Sequence, residues 1–173
     1  MTTIPKLDYI KETCKEMLAD RNYILLQEDE LNIQALRTTA DKKHIVVHVY
    51  IIEQEKLNIN VMKYYYTLFE KENIGHAILV FQNITTSSVK RILSNIQNKV
   101  IELFSVNELL FNITRHSLVP LHIHVAITED HKETMKYPVL KRTDAVAKYY
   151  RYVLGNLIQI YRKDGSVYFR LVK

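Results

Sequence analysis

The sequence predicts an α+β protein in two parts: an α/β domain over residues 1–110, then a small α+β domain over residues 111–173 that closes on a β-hairpin. Three observations predict this. Helical and strand-like apolar periods alternate through the first part, as a layered α/β domain requires. The last residues form two apolar runs, Leu157–Arg162 and Val167–Val172, around Asp164-Gly165, whose glycine permits the positive φ of a tight turn. The charge divides at almost the same place. Residues 1–115 hold fourteen Lys/Arg and fourteen Asp/Glu, whereas residues 116–173 hold ten and five, so the whole surplus of +5 lies in the second part.

In the first part, Leu7, Ile10, Cys14, Met17 and Leu18 form one stripe opposite Asp8, Lys11, Glu12, Lys15 and Glu16, which predicts an amphipathic helix over 6–20. Cys14 lies on the apolar stripe and reads as a core thiol. Tyr23–Gln27 reads as a strand, and Leu31–Arg37 as a short helix or irregular turn. His44–Ile52 is the clearest strand, with Ile45, Val47, Val49 and Ile51 on one face and His44, Val46, His48 and Tyr50 on the other. Asn60 is the expected cap of a helix reaching about Asn73, with Val61, Tyr64, Tyr65, Leu68 and Phe69 inward. Ile59 and Tyr64 are placed to staple it, and Gly75 to end it. Ala77–Phe81 reads as a buried strand. Thr85–Ser88 open a helix carried by Val89, Ile92, Leu93 and Ile96, Val100–Phe104 is a further strand, and Ser105–Glu108 is a capping box.

In the second part, His116–Val125 contributes a strand. Thr128, followed by Glu129 and Asp130, suits a helix start, and Pro138 stops that helix. Asp144 caps a helix over Ala145–Tyr152, ended by Gly155.

Composition bounds the function. With three glycines and three prolines there is no Gly-rich phosphate loop, linker or low-complexity tract. One cysteine excludes an internal disulfide and leans towards a reducing compartment. No apolar run approaches a membrane-spanning length, and the N-terminus lacks a signal peptide's apolar core. The acceptor-like Asn83-Ile84-Thr85 and Asn112-Ile113-Thr114 read as coincidences.

From Asn112 the residues become specific. Asn112-Ile113-Thr114, His116, Leu118-Val119-Pro120 and His122 are similar to the signature NITxHxLVPxH. That signature belongs to the fifth-largest subunit shared by eukaryotic nuclear RNA polymerases, whose C-terminal domain resembles a shorter archaeal polymerase polypeptide. Pro138, Arg142, Asp144, Val146, Ala147, Tyr149, Gly155, Ile160 and Arg162 resemble that family's next segment in register, and Arg170-Leu171-Val172 its ending. Upstream, Lys15-Glu16-Met17, Asp20-Arg21 and Tyr23 resemble the eukaryotic opening KEMxxDRGY, and Val80–Asn83 precedes Ile84-Thr85 as in the family. The likeness spans the chain and is densest over 110–173. Departures are a segment 128–137 about two helical turns shorter, Ala145 for a proline, Arg151 for a glycine and a shorter loop at Lys163–Gly165. Thr86 also replaces the proline of a TPSA motif that lies near downstream DNA in that family. With the Ile/Asn/Lys/Tyr bias, they fit a divergent copy from a large DNA virus or an early-branching eukaryote.

The resemblance implies a non-catalytic subunit without cofactor. It has a nuclease-like N-terminal jaw domain beside incoming DNA and a C-terminal assembly domain on the largest polymerase subunit. His116, Pro120, His122, Pro138, Arg142, Asp144, Val146, Tyr149, Gly155, Ile160, Arg162 and Arg170 are its signature positions. The implied partners are the largest and other polymerase subunits, general transcription factors and, weakly, downstream DNA, with no membrane. The implied setting is the nucleus for a cellular copy, or host cell and virion for a viral one.

Other chemistry can be weighed on the residues. Thr85, Thr86, Ser87, Ser88, Lys90 and Arg91 offer hydroxyls, helix-start amides and two cations to DNA phosphates, though an ordinary capped surface helix has the same pattern. His116, His122, His124 and His131 lie close in sequence, but no cysteine is near and two are signature positions, so no metal is expected. Asp41-Lys42-Lys43 fits the loose (D/E)-x-K pattern of metal-dependent nucleases, with Asp29 or Glu30 as a second carboxylate, and equally fits a solvated turn. The basic residues of the tail suit acidic protein patches or plain solvation, and Tyr149, Tyr150, Tyr152 and Tyr168 suit an interface or a half-buried core. Three functions follow: a structural polymerase subunit first, then a metal-dependent nuclease, then a free nucleic-acid-binding regulator.

Overall fold

The computed structural model describes residues 7–53, 57–82, 89, 91, 93, 96–128 and 136–173. The chain forms two compact units, Met1–Phe111 and Asn112–Lys173.

The first unit runs α1 (Leu7–Asp20), β1 (Ile24–Glu28), β2 (Asn32–Thr38), β3 (His44–Ile51), α2 (Ile59–Lys71), β4 (His76–Phe81), β5 (Val100–Ser105) and a 3-10 turn at Val106–Leu109. The strands form one sheet in the order β1-β2-β3-β4-β5. The first three are antiparallel neighbours, and β3, β4 and β5 are parallel. Parallel neighbours need crossovers, and α2 supplies the one from β3 to β4.

Register assigns the faces. Ile33, Ala35, Val47, Val49, Ile78 and Val80 share one face and are fully buried. Glu28 lies opposite Ile33, and its carboxylate bonds Lys11 and Lys15 of α1. The stripe Ile10, Cys14, Met17 and Leu18 therefore covers this face. Burial pushes the Cys14 thiol up to about 12, so it stays a protonated core group. On the opposite face Ala77, Leu79 and Phe81 pack with Leu57, Met62 and Phe69 around α2.

Several expectations are corrected. Residues 32–37 are not part of a helix or loose turn but belong to β2, paired residue by residue with β3 from Asn32↔Tyr50 to Thr38↔His44. Ala, Leu and Gln favour helix in isolation, but pairing on both edges overrides propensity. Asn58, not Asn60, caps α2, its Oδ1 accepting the N–H groups of Asn60 and Val61 at 2.9 and 3.1 Å. The staple positions therefore fall on Leu57 and Met62, both fully buried, while Tyr64 points to solvent. Gly75 does not end α2. Asn73 does, at φ +53°, where its N–H donates to the Glu70 carbonyl and that of Ile74 to Phe69. The same cap closes α1 at Asn22, φ +62°. Asparagine tolerates the left-handed region, so it replaces the expected glycine.

The second unit runs a 3-10 turn (Ile113–Arg115), β6 (Leu121–Val125), β7 (Val139–Leu140), α3 (Ala145–Tyr149), β8 (Leu157–Tyr161) and β9 (Val167–Val172). Its sheet has the order β6-β8-β9-β7, with β6–β8 and β8–β9 antiparallel and β7–β9 parallel. The hairpin turns at Gly165, φ +81°, as its sequence requires. The helix expected after Thr128 falls mostly outside the described residues. β7, directly after Pro138, is too short to carry a periodicity, and only its pairing with β9 makes it a strand.

α3 is shorter than Ala145–Tyr152. Asp144 caps it through the Val146 and Ala147 amides at 2.9 and 3.3 Å. It ends at Arg151, φ +55°, with the Tyr152 N–H on the Ala147 carbonyl, and not at Gly155. A side chain with a Cβ is strained there. Arg151→Gly is therefore expected to stabilise the chain by about 0.5–1 kcal/mol in urea melts. An unchanged or lower midpoint would show that Arg151 contacts outweigh the strain.

Candidate functional site

The signature residues converge on one groove within the second unit. Register puts His122, Ile160 and Tyr168 side by side on one sheet face, with Ile158, Arg170 and Val172 on the same face. α3 covers only part of it, where Ala147 packs with Leu140, Ile158, Ile160 and Val172. Beside α3 the face opens into a groove of about 320 Å³, floored by Ile160, Tyr168 and Arg170 and walled by Leu118–Pro120, Pro138 and Leu140, and the start of α3.

Eight of the twelve signature positions line it: Pro120, His122, Pro138, Asp144, Val146, Ile160, Arg162 and Arg170. The other four are placed around it. His116 folds the 116–119 turn, its carbonyl accepting the Val119 N–H at 2.9 Å and its Nδ1 the Leu118 N–H at 3.2 Å. Gly155, φ +86°, donates to the Val172 carbonyl. Arg142 is exposed, its N–H on the Lys173 carbonyl. Tyr149 is buried, and its hydroxyl accepts a 2.8 Å bond from Asn112 Nδ2.

Asn112 is itself buried, and its Oδ1 also accepts the Thr114 N–H and hydroxyl at 2.9 and 2.6 Å. The Asn-Ile-Thr triplet is thus a knot tying the entry turn to α3. Tyr149→Phe leaves the Asn112 amide without that acceptor and is expected to cost about 1–2 kcal/mol in chemical unfolding. A loss within a few tenths would mean that water replaces the hydroxyl.

Groove electrostatics are one-sided. The Arg162 guanidinium lies 4.2 Å over the Tyr168 ring, and Arg170 Nη1 donates to the Val139 carbonyl at 3.3 Å. Neither forms an ion pair with a carboxylate among the described residues, although Asp164 in the hairpin turn feels the Arg162 charge. Asp144, the one carboxylate in the lining among the described residues, is engaged in capping α3. The His122 Nδ1–H donates to the Pro120 carbonyl at 2.8 Å. Sequence reading missed Leu140 in the lining, because only the β7–β9 pairing brings it there, and Phe169, which pairs with Gln159 across the β8–β9 hairpin.

Of the four tyrosines, only Tyr168 reaches the groove. Tyr149 meets Tyr150 edge to face at 5.1 Å between centroids, Tyr150 stacks on Tyr152 at 5.4 Å, and burial pushes the Tyr152 phenol above its usual range. The opposite sheet face exposes Leu121, Ile123, Val139, Tyr161 and Val167, an apolar patch of the kind that marks interaction sites.

The remaining candidates are dispersed. Thr85, Thr86, Ser87, Ser88 and Lys90 lie outside the described residues, and Arg91 is exposed on a helical position. His131 also lies outside them. Among the described residues no three His, Cys, Asp or Glu side chains gather as a metal would require. Asp41 and Asp29 sit at opposite ends of β2, roughly 20 Å apart at strand rise, too far to share a metal ion. Lys42 and Lys43 are exposed in the β2–β3 turn. Among the described residues no helix is long and apolar enough to cross a membrane.

No protein-family model matches the chain. Individual proteins do. It is 27% identical over 186 residues to the Dictyostelium discoideum protein named as subunit rpabc1 of DNA-directed RNA polymerases I, II and III, covering 96% of this chain and 94% of that one. The Caenorhabditis elegans protein of the same name is 29% identical over 189 residues, covering 91% and 89%. Protein 454R of Invertebrate iridescent virus 6, whose name proposes a DNA-directed RNA polymerase subunit, is 26% identical over 178 residues, covering 92% and 95%. Over nearly its whole length the chain is similar to proteins named as subunits of DNA-directed RNA polymerase.

Proposed function

We propose that this chain is a non-catalytic structural subunit of a multisubunit DNA-dependent RNA polymerase. The observation that carries the reading is the near end-to-end likeness to proteins bearing that name. The convergence of eight signature positions on one groove supports it. In this reading the second unit is the assembly domain, anchored to the largest polymerase subunit through the groove and the apolar sheet face. Apolar contacts supply affinity and the basic surplus sets orientation. The first unit is the jaw beside downstream DNA, with Thr85–Ser88, Lys90 and Arg91 as its phosphate-facing segment. Two cations give weak contact, useful only inside the complex. The site of action is the nucleus, or the host cell and virion if the chain is viral.

Nothing favours the nuclease alternative, since among the described residues the Asp41-Lys42-Lys43 turn belongs to no cluster that could hold a metal ion. Affinity purification of the tagged chain tests the proposal. It should bring down the two very large polymerase chains in equal proportion. Recovery of the chain alone, or of a DNA-cleaving activity lost in an Asp41→Ala/Lys43→Ala variant, would overturn it.

A further inference from the structure

The groove has a chemistry of its own beyond being a surface. About half of its lining is apolar, from Leu118, Val119, Pro120, Pro138, Leu140 and Val146, and two guanidinium groups face it with no carboxylate bonded to them among the described residues. Arg162 is held against a tyrosine ring and Arg170 by a backbone carbonyl, so both are preorganised. A planar fork held in place suits a carboxylate bidentately and loses little freedom on binding. The surrounding unit carries ten cations against five anions over residues 116–173, which adds long-range attraction of the same sign.

We infer that the groove takes an extended segment of the partner chain in which one or two carboxylates are set among apolar residues, with Arg162 and Arg170 as the carboxylate contacts. This rests on the subunit reading and specifies what the anchoring surface recognises. The occupant is a protein segment, not nucleic acid. Nucleic-acid interfaces are broad and strongly cationic, whereas this cleft is small, about half apolar and has two arginines. Leu118, 82% exposed on the rim, is placed to close over the segment's apolar side chains.

The test uses the full-length tagged chain in cells that contain the polymerase. Four forms are compared: wild type, Arg162→Glu/Arg170→Glu, Arg162→Lys/Arg170→Lys, and Leu118→Asp, which alters the rim without touching the core. Recovery of the two largest polymerase chains per tagged chain is measured, with thermal melting of each purified variant as the folding control. A photo-crosslinking phenylalanine analogue at Tyr168 then identifies the occupant by mass spectrometry. The charge-reversed pair should lower recovery by about tenfold or more and Leu118→Asp should also lower it, while the lysine pair retains most of it. The crosslink should fall in a polymerase segment containing Asp or Glu. Unchanged recovery by both the charge-reversed and Leu118→Asp variants, a crosslinked segment without a carboxylate, or a crosslink to nucleic acid would overturn the groove assignment alone. A wild-type chain that recovers no polymerase would overturn the subunit reading beneath it.

Discussion

Glu102→Gln is expected to destabilise the first unit by about 3–5 kcal/mol at neutral pH, the usual penalty for leaving one charge of a buried pair uncompensated. Glu102 on β5 is nearly buried. It receives both Arg21 guanidinium nitrogens at 3.0 and 2.9 Å and the His76 Nε2–H at 2.6 Å. Tyr23 Oη lies 3.3 Å from His76 Nδ1, and Arg37 lies 4.9 Å over the Tyr23 ring. The network joins the end of α1 to β4 and β5 under one face of the sheet. Glutamine keeps the volume but removes the charge that Arg21 needs. Burial pushes the Glu102 carboxyl up, but the His76 hydrogen bond and the Arg21 charge outweigh it, so its folded value lies below the ordinary carboxylate range. A depressed folded value gives stability that is present above the unfolded pKa, about 4.3, and is lost as pH falls through the folded value. The advantage of wild type over Gln should therefore be full at neutral pH and shrink in acid below about pH 4. Urea titrations of both proteins at a series of pH values check this. A constant difference across that range would mean that Arg21 is stabilised by something other than the Glu102 charge.

Phe69→Ala should cost a similar amount, about 3–5 kcal/mol, by a different route. Phe69 is fully buried in the α2 core, with its ring 5.7 Å from that of Tyr50 and 6.1 Å from that of Tyr65. Its carbonyl also accepts the Ile74 N–H that closes the helix and a 3.2 Å bond from Lys99 Nζ. Truncation opens a cavity between α2 and β4 and loosens the packing around both contacts. Tyr64→Ala, on the same helix but exposed, is the control and should stay within about 0.5 kcal/mol. Equal losses at the two positions would mean that the inward face of α2 is misassigned.

These two cases also show what the sequence makes legible. The alternation in β3, the stripe of α1, the Asp144 cap and the Gly165 turn depend on neighbours in the chain, and each is readable from them. β2 and β7 depend on partners far away. Ala35 and Leu36 look helical until β3 pairs with them, and Val139-Leu140 is a strand only beside β9. Helix ends fall between these extremes. Asn22, Asn73 and Arg151 adopt the left-handed conformation that glycine marks more openly, so the visible glycines at 75 and 155 mislead. The Arg21–Glu102 pair joins residues 81 positions apart and leaves no local trace, apart from the likeness of Asp20-Arg21 and Tyr23 to a family opening. For the groove, the signature contains eight lining residues, but their shared face comes from the register of β6, β8 and β9.

On the proposed reading, the second unit is the part that holds the chain in a larger enzyme. The most direct test is incorporation of the separate halves: tagged chains of residues 1–111 and 112–173 are each expressed beside the full-length protein, and purified polymerase is assayed for all three. Residues 112–173 should be found in the enzyme and residues 1–111 should be absent from it. Incorporation of 1–111 at the full-length level would contradict the reading.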